Sequence, residues 1–308
     1  MSDGTAPRRD NVGRGIALAM SAILVFATQD AASKFLVLSD VSPFQMTMMR
    51  FWAFAGFALL LAWRQHGGLR RAFATRYPGL QVARGLLLVG DIWMFVLALS
   101  TVSLAAVQSI TLVYPLLVTL FAIPLLGERV GPFRIAAVLV GFAGALIIVR
   151  PGGIPLDWGV FFAVGSGVFY ALYIVITRKV SDADSPATSL AYTGVVGLVV
   201  TSAVGVFFWA PLQPVELLAI GYIMLTGVAA HGMMVFALSL APASVLQPLN
   251  YTSLPWSLLF SAVLFGEPLD PVSLLGAAIV VAAGLVVMAR ERVRRVPVPP
   301  GPTLPGKE

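Results

Sequence analysis

Asp30 and Lys34 stand four residues apart in FATQDAASK, residues 26–34, inside a stretch that otherwise reads as apolar. A carboxylate in hydrocarbon costs about 2.5–3.5 kcal/mol even on the lenient insertion scale, so the pair needs a reason to be there. Two readings are open. Asp30 and Lys34 neutralise each other at i, i+4 and snorkel at a membrane boundary, or Asp30 and its neighbour Gln29 line a wet cavity where a carboxylate meets an amino group. Asp91, in LLLVGDIWMFVLALS, poses the same question, with Trp93 two positions on. Its own helix offers no cation nearer than Arg84, which leaves Arg50 of TMMRFWAF as a candidate partner. His231 is a further titratable group within a span, and Asp91 with His231 forms a candidate proton-coupling pair.

Neutral amides extend the set. Gln108 and Gln247 can hydrogen-bond both an ammonium and a carboxylate, which suits a zwitterion. Asn250 and Tyr251 follow in QPLNYTSLPW, and Tyr114 sits in TLVYP. Pro115, Pro248 and Pro255 loosen these segments and expose backbone groups to a ligand. Tyr170 and Tyr173 share a helical face, so at least one can line a cavity and stack on an aromatic ring. For each residue there is a plainer structural role as helix-to-helix glue or core packing.

These side chains need elements to hold them. The chain has 308 residues, 58% hydrophobic and 11% charged, with mean hydropathy +0.91. Soluble domains carry about 25% charged residues, and no single soluble core could hide this much apolar surface. Apolar runs of about 20 residues, without strand-like alternation, indicate an all-α integral membrane protein. The absence of cysteine excludes disulfides, thiolate metal sites and a thiol nucleophile, and two histidines make a His-rich metal site improbable. No phosphate-cradling G-x-x-x-x-G-K-[ST] loop occurs. No cofactor, metal or catalytic residue is expected.

Ten transmembrane helices are expected at about 15–36, 44–63, 79–99, 104–126, 132–149, 157–177, 187–209, 215–238, 243–265 and 271–289. With the N-terminus inside, seventeen Lys and Arg residues fall on the inner side and only Lys34 and Arg150 outside, with Arg50 inside a span. This positive-inside bias places both termini in the cytoplasm, predicts the inner (plasma) membrane, and accounts for the net charge of +6 without nucleic acid. Trp52, Trp63, Trp158 and Trp209 fit an interfacial belt.

The chain also repeats itself. At a shift of 139, Ala98, Leu99, Ser100 and Gln108 meet Ala237, Leu238, Ser239 and Gln247, and GERVGP (127–132) meets GEPLDP (266–271). At a shift of 144, Gly15, Ala27 and Lys34 meet Gly159, Ala171 and Arg178. Two units of five spans are inverted relative to one another, a plan that places substrate near the midplane between the halves. The expected organisation is a tail at 1–14, repeats at 15–150 and 151–290, and a Pro-rich disordered tail at 291–308. Glu128 and Glu267 read as helix-end residues in the two Gly-Glu loops.

Ten helices, five-plus-five repeats and the loops LLGERVGP and FGEPLDP resemble the drug/metabolite transporter superfamily, EamA type, over about residues 12–290. The chain is also similar, more loosely, to YddG-type exporters of aromatic and other neutral amino acids. The resemblance implies a secondary transporter working by alternating access around a central cavity, as a monomer or homodimer in the bilayer. The expected solutes are neutral or aromatic amino acids, bound by Gln29, Asp30, Trp93, Gln108, Tyr114, Tyr173, Gln247, Asn250 and Tyr251. A multidrug or lipophilic-cation exporter is the alternative within the superfamily. A membrane-embedded enzyme would need acids, bases or ligands concentrated at one face, and here they are sparse and spread over both halves.

Overall fold

The computed structural model describes residues 9–127, 131–149, 157–181, 183–241 and 243–294. Glu128, Arg129, Arg150 and the tails at 1–8 and 295–308 lie outside the described residues. Among those described there is no strand. The helices are α1 (Arg9–Leu38), α2 (Pro43–His66), α3 (Leu69–Ala72), α4 (Pro78–Ala98), α5 (Leu104–Thr111), α6 (Tyr114–Leu126), α7 (Pro132–Val149), α8 (Trp158–Val180), α9 (Pro186–Gly205), α10 (Pro214–Leu240), α11 (Ala243–Leu246), α12 (Ser253–Phe265) and α13 (Pro271–Arg294). A 3-10 segment, Gln247–Thr252, joins α11 to α12. Proline opens α2, α4, α7, α9, α10 and α13, where its missing N–H costs nothing and its fixed φ favours the helix. Gly127 and Gly266, in the two Gly-Glu loops, end α6 and α12 in the left-handed region at φ 69° and 61°.

Seven helices of the described residues are long and apolar enough to cross a membrane, and Ile135–Ile148 and Pro271–Val286 form shorter apolar helices. The segment expected as a continuous span at 243–265 is instead broken into α11, the 3-10 turn and α12. At the ends, α1 begins at Arg9, before the residue 15 expected, and α13 continues to Arg294, past 289.

Burial follows the logic of a lipid solvent. Lys34, Gln29, Gln45, Gln81 and Arg84 are buried inside, whereas Phe207, Leu218, Trp158 and Leu146 are each more than 70% exposed. Large apolar side chains outside and polar ones within is the pattern hydrocarbon selects. The main helix contacts pair α1 with α10, α4 with α8, α2 with α9 and α7 with α13, followed by α4 with α9, α6 with α8, α2 with α10 and α5 with α12.

Helices α7 and α13 meet backbone to backbone through glycines. A Cβ on Gly276 would stand 2.6 Å from the Gly144 carbonyl oxygen, and one on Gly144 would stand 2.8 Å from that of Gly276. Gly276→Leu is therefore expected to destabilise the protein by about 1–3 kcal/mol through overpacking, read as a lower thermal-unfolding midpoint in detergent. Gly221→Leu should leave the midpoint unchanged, because no atom lies within 4 Å of that Cβ. Equal midpoints for the two variants would contradict the close approach.

Candidate functional site

A cavity of about 260 Å³ opens where α1, α2, α4, α8 and α10 surround the two broken segments. The breaks have a local cause. Pro115 has no N–H to continue the α5 ladder, so the helix stops at Thr111 and restarts at Tyr114. The Gln247–Thr252 turn, with Pro248 near its start, interrupts the second segment in the same way. Both breaks place polar side chains on the cavity wall: Gln108, Thr111 and Tyr114 from one, Asn250 and Ser253 from the other. They also bond across it. Gln108 Nε2 donates to Ser253 Oγ at 2.9 Å, and Asn250 Nδ2 donates to the Tyr114 hydroxyl at 3.3 Å.

The helices that surround the breaks bring charge and aromatic surface. Asp30, Arg50, Asp91 and His231 all face the cavity, with Phe26, Phe51, Phe54, Phe95 and Tyr170 forming much of the remaining wall. Asp91 Oδ1 accepts from Ser166 Oγ at 2.6 Å. Asp30 has no hydrogen-bond donor among the described residues, and its electrostatic neighbour is Arg50, whose charge also acts on Asp91. Neither carboxylate forms an ion pair with Arg50 within 4.0 Å among the described residues. His231 sits between Phe26 and Phe54, ring centroids at 5.0 and 4.9 Å, with Nδ1 2.7 Å from the Gly227 carbonyl. The site thus presents an open carboxylate, a guanidinium and an aromatic wall.

The structure separates the expected residues into two groups. Asp30, Gln108, Tyr114, Asn250, Asp91 and His231 line the cavity. Gln29, Trp93, Tyr173 and Tyr251 do not. Gln29 is 1% exposed and points at Arg50. Trp93 packs edge-on against Phe44, and its buried Nε1 has no acceptor among the described residues. Tyr173 stacks on Tyr170 and receives a hydrogen bond from Arg84 at 3.3 Å. Tyr251 is buried in the apolar core, beside Gly284 of α13. Of Gln247, only the backbone, the first residue of the 3-10 turn, lies within the described residues. No hydrogen bond or ion pair joins Asp91 to His231: the first accepts from Ser166 and the second pairs with the Gly227 carbonyl. Arg50 belongs to the site, and its signal was its charge within a span; Thr111, Ser253 and the phenylalanines gave none, because such residues abound in any apolar helix.

Two other polar clusters correct the reading of the chain's charges. Lys34 does not pair with Asp30. It is buried, forms an ion pair with Glu267 and donates to the Val102 carbonyl at 3.0 Å. Glu267 does not serve its own following helix: it accepts from Ser261 Oγ and, at 3.1 Å, from the Leu104 N–H that opens α5, while Asp270 caps α13 through Ser273 N at 2.9 Å. At the N-terminal end of α4, Arg84 donates to Thr193 Oγ1 at 2.7 Å, to the Ser189 carbonyl and to Gln81 Oε1 at 3.1 Å. Gln81 in turn donates to Asp184 at 2.7 Å.

Comparison with known proteins gives this architecture its relatives. The EamA-like transporter family matches twice, over residues 13–150 and 157–289. A riboflavin transporter of Rhizobium johnstonii is 29% identical over 79% of this chain and 81% of its own length. One from Vibrio cholerae is 28% identical over 85% and 88%. An S-adenosylmethionine uptake transporter of Rickettsia felis is 25% identical over 90% and 93%. A protein of known crystal structure superposes with TM-score 0.64 over 92% of this chain and 99% of its own, at 21% identity, a likeness of fold alone. The family and these relatives are transporters, not enzymes.

Proposed function

We propose that this chain, which belongs to the EamA-like transporter family, is a secondary carrier for a small metabolite that joins an ammonium or other cationic centre to a planar ring. The observation that carries the reading is Asp30, a cavity carboxylate with no donor among the described residues, on a wall it shares with Phe26, Phe54 and Tyr170. Carboxylate and aromatic faces together select organic cations and amino groups borne on apolar bodies. S-adenosylmethionine has this chemistry, with an amino-acid head, a sulfonium and an adenine ring. An aromatic amino acid has the same head on a smaller ring.

The amino-acid export expected from the sequence finds no support in the relatives, whose names point to larger solutes and, for the Rickettsia protein, to uptake. A cationic, adenine-bearing solute moved inward is therefore the first candidate, and a free aromatic amino acid the second. Riboflavin, named for two of the relatives, is the competing solute. The hydroxyl and amide groups of Thr111, Asn250 and Ser253 suit its sugar-like chain, but its neutral ring system makes no use of Asp30.

The working cycle is alternating access between two inverted repeats at 15–150 and 151–290, in the inner membrane with both termini cytoplasmic. Two matches to one family favour the repeat. So does the helix pairing, in which every main contact joins an element of one half to an element of the other. A two-fold relation also makes Thr111 the equivalent of Asn250 and Tyr114 that of Ser253, and all four line the cavity. Purified protein in liposomes is expected to take up radiolabelled S-adenosylmethionine saturably and to be competed by aromatic amino acids more strongly than by riboflavin. Competition by riboflavin alone would overturn the cationic reading.

A further inference from the structure

Among the described residues Arg50 is the one guanidinium on the cavity wall, and Gln29 lies against it. With the Gln29 amide turned so that its oxygen faces the guanidinium, Oε1 lies 3.0 Å from Nη2 and 3.1 Å from both Nε and Nη1. An oxygen equidistant from three coplanar nitrogens stands over the guanidinium carbon, not at one edge of the fork. Among the described residues it is the acceptor within hydrogen-bond distance of Arg50. Neither Asp30 nor Asp91 comes within ion-pairing distance, although both feel its charge. The outward N–H edges, the donors that match a carboxylate two by two, have no partner among the described residues.

Gln29 is fixed in this position. It is 1% exposed, and its amide end lies on Gly227 of α10, where a Cβ would stand 3.6–3.8 Å from the two terminal amide atoms. Its neutrality matters as much as its place. A glutamate there would satisfy Arg50 permanently, whereas a neutral carbonyl dipole stabilises the buried cation without cancelling it.

We infer that Gln29 is a positioning residue: it holds the Arg50 guanidinium in place without committing its N–H edges, so that the guanidinium reads a carboxylate on the solute while Asp30 reads its cationic group. The substrate class is then a zwitterion of the α-amino-acid kind on a planar or apolar body, and loss of the carboxylate is what the site detects. This rests on the carrier reading above and narrows it.

The test compares two ligand pairs that differ only in the carboxylate: S-adenosylmethionine with its decarboxylated amine, and phenylalanine with phenethylamine. Inhibition constants are measured in proteoliposomes for wild type, Gln29→Glu and Gln29→Met. Wild type should favour the carboxylated member of at least one pair by roughly ten- to a hundredfold, the range of a charge-assisted contact. Both variants should bring that ratio close to one, through weaker carboxylate affinity with little change for the amine. A merely structural role for Gln29 would weaken both members alike, and that result overturns the proposal. Should neither variant fold, wild type alone still decides, because indifference to the carboxylate in both pairs also overturns it. Wild type that carries no member of either pair overturns the carrier reading itself, which is a different failure.

Discussion

Asp30→Asn protein is expected to fold, to insert, and to lose transport of its cationic solute by a factor of roughly thirty to several thousand. The magnitude follows from removing one partner of a desolvated charged contact, about 2–5 kcal/mol. Folding should survive because Asp30 makes no hydrogen bond or ion pair to the protein among the described residues, so the substitution breaks no internal contact. Asparagine keeps the shape and one acceptor while removing the charge. The loss should fall on affinity for ammonium- or sulfonium-bearing solutes and spare a neutral planar one. Retention of wild-type uptake by a well-folded Asp30→Asn protein would remove the carboxylate from the recognition scheme.

The second large effect concerns stability. Lys34, 4% exposed, and Glu267, 18% exposed, are joined across 233 positions of sequence and tie α1 to the start of α5 and the end of α12. Removing one member of a buried pair leaves an uncompensated charge, at a cost of about 3–5 kcal/mol. Lys34→Met is expected to incur that cost, seen as a lower unfolding midpoint in detergent. Adding Glu267→Gln should recover much of it, since glutamine still offers an acceptor to Leu104 N and Ser261 Oγ but carries no charge. A double variant whose loss equals the sum of the single losses would show that the two groups do not interact.

Legibility in the sequence followed the range of the forces involved. Helix positions were readable because an apolar run and a proline at its start act locally, and Pro43, Pro78 and Pro186 mark true starts. The breaks near Tyr114 and in the 247–252 turn could be anticipated from Pro115 and Pro248, though not that the second would divide its segment into a short helix, a 3-10 turn and a longer helix. Partners distant in sequence could not be read. A lysine at i+4 from an aspartate invites a local pair, yet Lys34 reaches Glu267, because tertiary packing brings the latter to the same end of α1. Asp91 is satisfied by Ser166, a residue with no sequence signal. Polar residues within spans did point to the cavity region, but not to which face they present. That is why Gln29, Trp93, Tyr173 and Tyr251 turned out to stand beside or behind the wall, while common phenylalanines form it.

The central claim is that the solute binds in the cavity between the two broken segments, and the natural absence of cysteine allows a direct measurement. Ser253→Cys places a single thiol on the cavity wall, and Ser100→Cys places one at an exposed turn. Alkylation rates in detergent or liposomes are followed against increasing S-adenosylmethionine. The account predicts slowed alkylation at position 253, half-maximal at the concentration that half-saturates transport, with no change at position 100. A thiol at 253 that reacts at an unchanged rate when transport is saturated would contradict it.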